Sequence, residues 1–199
     1  MQRLGGVFYI NLDRRVDRRA EIEAELAAAG LHGERFAGIE GTPGIVGCGQ
    51  SHLAVLRLAR DRGLKNVLIF EDDFQFLVTA ERFWERLNEF FARGRPFDVL
   101  MFSYAAEQTE PVDDLIMKVL SAETASAYIV SADFYDPLIE LYETYLPLLA
   151  ATGQHWIYAN DQIWKRLQAD AQWYAFVERL GKQRGSYSDN SLQYMDRGF

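Results

Sequence analysis

The feature that most restricts this chain is Val67-Leu68-Ile69-Phe70, a continuous apolar run too short for a helix that ends directly in Glu71-Asp72-Asp73. Such a run between polar boundaries reads as a strand buried on both faces, which requires a layer of structure above and below it. In open α/β sheets, ligands bind in the crevice beyond the carboxyl ends of the strands, and that is where the three acids stand. Crowded carboxylates raise one another's pKa values unless a cation is shared among them. Strand alternation places Glu71 and Asp73 on one face and Asp72 on the other, the pattern of an acid-x-acid metal site. Oxygen ligands alone point to Mg2+ or Mn2+, which keep part of their water and bridge to phosphates. The competing reading is a solvated strand end followed by a helix cap.

Neighbouring segments supply the layers. Residues 7–12 form a β-branched and aromatic run, and residues 13–29 carry Val16, Ala20, Ile22 and Leu26 at helical spacing before Gly30 stops the helix. Residues 34–39 read as a second strand. A Gly- and Pro-bearing loop over 41–49 leads into a helix with Leu53, Leu56, Leu58 and Ala59 that ends near Gly63. Thr79 caps a helix through Phe83, Leu87, Phe90 and Phe91, closed by Gly94-Arg95-Pro96, and residues 99–102 are again a strand. This alternation predicts an α/β fold with a mostly parallel central sheet and helices on both faces. Residues 107–114 are polar, contain Pro111 and read as a loop. Residues 127–130 and 173–177 read as strands, and 132–149 and 161–167 as helices. Without an internal repeat or a break in composition, residues 1–199 read as one domain.

Composition removes several function classes. With 49% hydrophobic and 25% charged residues the chain has the make-up of an ordinary globular protein. Lys plus Arg number 21 against 29 Asp plus Glu, a net charge of −8 that would repel a phosphate backbone, so no nucleic-acid partner is expected. Cys48, the single cysteine, excludes an intramolecular disulfide and a Cys-rich zinc cage. No apolar run approaches the ~20 residues that span a bilayer, so membrane contact is expected to be peripheral at most. The N-terminal residues lack the pattern of a signal peptide, and the chain reads as cytoplasmic.

Four further segments can carry chemistry. Asn11-Leu12-Asp13-Arg14-Arg15-Val16-Asp17-Arg18-Arg19 opens the first helix, where backbone amides favour an anion. Arg14 with Arg18, and Arg15 with Arg19, are like-charge pairs four residues apart that a diphosphate would relieve, although Glu21 and Glu23 can also pair with them at the surface. In Gly47-Cys48-Gly49-Gln50-Ser51-His52, Cys48 and His52 have the spacing of a thiolate and its base. The plainer account is a small buried cysteine, with Ser51 and His52 lining a cleft. Asn160 or Asp161 can cap the helix that follows, and Asp161 at a cleft rim can accept a proton from a hydroxyl. His32 and His155 have no neighbours at metal-ligand spacing. The four tryptophans read as core, with Trp156 in a loop-like stretch where a sugar could stack.

Three of these segments occur together and in order: Phe8-Tyr9-Ile10-Asn11-Leu12-Asp13-Arg14-Arg15 with Asp17-Arg18, Gly47-Cys48 with Ser51-His52-Leu53, and Val67-Leu68-Ile69-Phe70-Glu71-Asp72-Asp73. Thr124-Ala125-Ser126-Ala127-Tyr128-Ile129-Val130-Ser131, Asn160-Asp161 and Gln183 with Ser188-Asp189 follow at similar places. In this arrangement the chain resembles, nearly end to end, the family 25 glycosyltransferases, which include lipopolysaccharide and collagen hydroxylysine galactosyltransferases. The resemblance implies a GT-A-type fold, a UDP-sugar donor (UDP-galactose first), a Mn2+ or Mg2+ ion, a glycan or other hydroxyl-bearing acceptor, and inversion at the anomeric carbon. It implies that Asn11, Leu12, Arg15, Arg18, Ser51, His52 and Asp72 line the nucleotide pocket and that Glu71 and Asp73 hold the metal. Asp161, with Asp189 as second choice, is the expected base. A metal-dependent phosphohydrolase or nucleotidyltransferase, and a degenerate sugar-nucleotide-binding module, are the alternatives.

Overall fold

The computed structural model describes residues 4–188 and 193–195. The run that ends in the acids is strand β3 (Asn66–Glu71), and its residues alternate between two helical layers. Val67 and Ile69 pack on one side with helices α2 (Gly44–Asp61), α4 (Tyr135–Thr152) and α6 (Asn160–Gln168). Leu68 and Phe70 pack on the other with α1 (Val16–Ala28) and α3 (Ala80–Ala92). This two-sided burial is why the strand is apolar at every position.

Around β3 lie β1 (Val7–Asn11), β2 (Glu34–Ala37), β5 (Val99–Met101), β6 (Ala105–Pro111), β7 (Ile116–Glu123), β8 (Ala127–Ser131) and β9 (Trp173–Phe176). They form an eight-stranded sheet in the order β2-β1-β3-β8-β5-β9-β7-β6. The pairs β1–β2, β1–β3 and β5–β9 are parallel, while β8 runs against both neighbours and β7 against β6 and β9. All strands except β7 and β8 therefore share one direction, and the α/β class with a mostly parallel sheet and helices on both faces is the one the sequence predicts. No helix among the described residues is long and apolar enough to cross a membrane.

Three local expectations are corrected. Residues 107–114 are not a loop: most of them belong to β6, which with β7 makes an antiparallel ribbon at the sheet edge. Pro111 is its last residue on an edge strand, where a missing amide proton breaks no ladder. Helix α2 begins at Gly44, not after Gly49, so Gly47, Cys48 and Gly49 are helical. Gly47 is needed there, because a Cβ would lie 2.2 Å from the Ile39 carbonyl oxygen. The cap of α6 is Ala159 without a side-chain hydrogen bond, which leaves Asn160 and Asp161 for other contacts. Thr79 does cap α3, accepting the Arg82 amide at 3.3 Å, and Gly30 and Gly63 close their helices at φ of 67° and 63°.

Strand β4 (Phe74–Phe76) follows the acids and pairs antiparallel with β10 (Gly181–Gln183). A Cβ on Gly181 would stand 2.1 Å from Cε2 and Cζ of the Phe74 ring, so only glycine lets the two strands meet. This pairing carries Gln183 and Arg184 back to the acidic turn.

Candidate active site

A cleft of about 500 Å3 opens at the carboxyl ends of β1 and β3. Its walls are the start of α1, the 38–44 loop with the first turns of α2, Thr124 and Ala125 before β8, Asn160 and Asp161 of α6, and Gln183 and Arg184. Glu71, Asp72 and Asp73 lie on its floor.

Alternation along β3 sends Glu71 toward α2 and Asp72 toward α1. Asp72 accepts hydrogen bonds from Asn11 Nδ2 at 2.7 Å and Arg18 Nη1 at 3.0 Å. Asn11 is itself held, with its Oδ1 accepting Arg35 Nε at 3.1 Å and its Nδ2 also donating to the Arg15 carbonyl at 3.0 Å. Burial raises the Asp72 pKa, and Arg18 and Asn11 work against that rise.

Asp73 departs from the expected alternation because the strand ends at Glu71 and the chain turns. Its carboxylate stands between the two walls. Oδ2 accepts from the same Arg18 Nη1 at 3.3 Å and from Gln183 Nε2 at 3.0 Å, and its carbonyl accepts the Arg184 amide at 2.6 Å. Oδ1 is buried without a hydrogen-bond partner. Burial, then the negative charge of Glu71, push the Asp73 pKa up to about 7 against the pull of Arg18.

On the α2 side, Glu71 Oε1 lies 3.0 Å from His52 Nε2 and accepts the Cys48 thiol at 3.5 Å. His52 Nδ1 meets the Tyr128 hydroxyl at 2.7 Å, and Asn160 Nδ2 donates to Cys48 Sγ at 3.2 Å. Burial works to raise the Glu71 pKa, but the His52 and Cys48 contacts outweigh it and the net direction is down. Burial and the Glu71 charge push the Cys48 thiol well above its ordinary value, which opposes a free thiolate at this position.

The other expected site residues divide. Leu12, Arg18, Ser51, His52 and Asp161 line the cleft. Ser51 uses its hydroxyl to tie the loop to α2, accepting the Ile39 amide at 2.8 Å and donating to the Gly47 carbonyl at 2.7 Å. Asn11 is 1% exposed and acts from beneath, through Asp72. Arg15 pairs with Asp17 at 2.9 Å, and the arginine that joins Arg18 at the cleft is Arg14, which also reaches Glu40 at 3.3 Å. Asp161 Oδ2 accepts the Thr124 amide at 3.3 Å. Asp189 lies outside the described residues.

Thr124, read in the sequence only as the start of the motif segment before β8, where the resembled family commonly has glycine, is 4% exposed and sits at φ 86°, a region that favours glycine and strains a β-branched residue. Sequence reasoning left Arg184 unassigned; only the closing-motif position of Gln183 hinted at this corner.

No family profile and no curated protein matches the chain. Solved structures do. A glycosyltransferase involved in glycosylation of the PBCV-1 major capsid shares 9% identity over 87% of this chain and 92% of its own, with a TM-score of 0.45. Apo UDP-glucose pyrophosphorylase shares 10% over 90% and 74%, with a TM-score of 0.49. Mannose-1-phosphate geranyltransferase from Thermus thermophilus shares 9% over 89% of this chain and 58% of that one, with a TM-score of 0.47. Likeness at this level bears on neither substrate nor mechanism, which rest on the residues of the cleft.

Proposed function

We propose that this cleft is the active site of a GT-A-type glycosyltransferase that takes a nucleotide sugar as donor and a hydroxyl group as acceptor. The observation that carries the reading is the acidic turn at the carboxyl end of β3, where Asp73 lines the cleft and its Oδ1 is buried and unpartnered. A carboxylate in that condition is costly unless a cation completes it, so the residues fit a hard divalent ion, Mn2+ or Mg2+, held by Glu71 and Asp73. Bound there, the ion would neutralise charge on the departing diphosphate.

The chain's own groups divide the remaining work. Arg18 fixes the positions of Asp72 and Asp73, and Asn11 fixes Asp72 from below. Arg14, at the rim, offsets negative charge on the donor. Asp161, oriented by the Thr124 amide, accepts the proton of the acceptor hydroxyl as it attacks the anomeric carbon on the face opposite the diphosphate. The finer reading, a family-25-like transfer of a hexose, galactose first, from UDP with inversion, rests on the sequence motifs. Lipopolysaccharide or another glycan as acceptor and a cytoplasmic location go with it.

The test is calorimetry of UDP binding with Mn2+ to the wild type and to Asp73→Ala, followed by product analysis with a UDP-sugar panel and hydroxyl acceptors. Asp73→Ala should weaken metal-dependent UDP binding on the order of 100-fold or more. Unchanged affinity in that variant, or free sugar as the sole product with every acceptor, overturns the reading.

A further inference from the structure

The geometry points to a second metal site in the cleft, built from Cys48, His52 and Glu71, that takes a borderline-soft ion such as Zn2+ rather than Mn2+ or Mg2+. It does not depend on the transferase reading, although it shares Glu71 with it. Cys48 and His52 are four residues apart on α2 and so project from one face, and β3 brings Glu71 against them. One ligand atom from each, Sγ, a ring nitrogen and a carboxylate oxygen, lie within 4.8 Å of one another, with Nε2 to Oε1 at 3.0 Å and Sγ to Oε1 at 3.5 Å. Zinc bonds of about 2.0–2.3 Å at tetrahedral angles place ligand atoms about 3.3–3.6 Å apart: the carboxylate–sulfur separation already fits, the carboxylate–imidazole pair has to open slightly, and the imidazole–sulfur separation, within 4.8 Å, has to come into that range.

The ligand set is what selects the ion. Thiolate and imidazole prefer zinc or cobalt, whereas magnesium and manganese prefer oxygen alone. The group behind the histidine is also present: Nδ1 meets the Tyr128 hydroxyl at 2.7 Å, and the Tyr142 hydroxyl, which accepts Trp164 Nε1–H at 3.1 Å, lies next in line. Both hydroxyls rotate, so Nδ1–H can donate to Tyr128 and leave the Nε2 lone pair for the ion, the arrangement that orients metal-bound histidines. As the ion binds, the thiol proton leaves to solvent. All three residues line the cleft, so the remaining coordination position opens into it, to a water or a substrate oxygen.

Titration with Co2+ as the spectroscopic probe tests this. The wild type should give the strong visible bands of four-coordinate cobalt with thiolate-to-cobalt charge transfer in the near ultraviolet, and Zn2+ should displace them. Asp73→Asn should keep these bands. Cys48→Ser should lose the charge-transfer band and bind Zn2+ at least about tenfold more weakly, with circular dichroism confirming its fold. Should Cys48→Ser not fold, X-ray absorption of the zinc-loaded wild type reads the same point as one sulfur neighbour at about 2.3 Å. Weak six-coordinate cobalt bands alone, equal Zn2+ affinity in folded Cys48→Ser, or no sulfur in the zinc shell overturns the site. Absence of transfer activity in the wild type with these bands intact would count against the transferase reading alone.

Discussion

Arg18 on α1 and His52 on α2 reach the same acidic turn from opposite sides, and they treat its carboxylates differently. The α1 wall neutralises charge with charge: one guanidinium spans Asp72 and Asp73, with side chains about one-tenth exposed on both sides. The α2 wall holds Glu71 by hydrogen bonds from an imidazole backed by the buried Tyr128 hydroxyl and from a thiol that in turn accepts from Asn160. Asp73, between them, gets half a cation and keeps one oxygen unsatisfied. The α1 wall thus brings a cation of its own to the turn, while the floor and the α2 wall retain electron-pair donors for something positive.

The strongest way to break this comparison is Arg18→Ala. It leaves two buried carboxylates without their cation, and a loss of about 3–5 kcal/mol is expected in urea unfolding; a loss under about 1 kcal/mol would place the pair with ordinary surface bridges. On the other wall, Tyr128→Phe removes the partner of a fully buried ring nitrogen and should cost about 1–3 kcal/mol, less than the first change because no charge is stranded. The unsatisfied floor has a pH signature. Asp73 titrates near 3.8 in the unfolded chain and near 7 when folded. Between those values the folded form keeps a proton that the unfolded form has lost, so stability falls as pH rises through the window and levels off above about 7. Thermal melts of Asp73→Asn should lack this part of the slope, and identical profiles for the two proteins would refute the assignment. Smallest is Arg14→Ala at the exposed rim: stability should move by no more than about 0.5 kcal/mol, and UDP affinity with Mn2+ should drop about 2- to 5-fold at low salt, a difference that added salt erases.

What was readable in the sequence was what depends on contiguous residues. The apolar run declared β3 because both of its faces are covered, and the period of two correctly separates Glu71 from Asp72. Asp73 was misplaced because alternation stops where the strand stops, and nothing local announces the turn. Residues 105–111 hid a strand because an exposed edge tolerates Ala, Glu, Gln and a terminal Pro. Which of the clustered arginines faces the cleft depended on a helix start displaced to Val16, beyond the resolution of periodicity. The contact between Asn160 and Cys48, 112 residues apart, exists only once α6 has packed beside α2, and no spacing rule reaches that far.

Gln183 and Arg184 deliver two hydrogen bonds to Asp73 after a chain excursion of 110 residues, and Arg184 adds ion pairs to Glu25 and Glu21 of α1. During vectorial synthesis the sheet and both helical layers can therefore assemble while the acidic turn still lacks its final clamp. Until residues 181–184 join β4, Asp73 keeps only its contact with Arg18, so a product ending before Gly181 would lack two of the three hydrogen bonds that hold this residue.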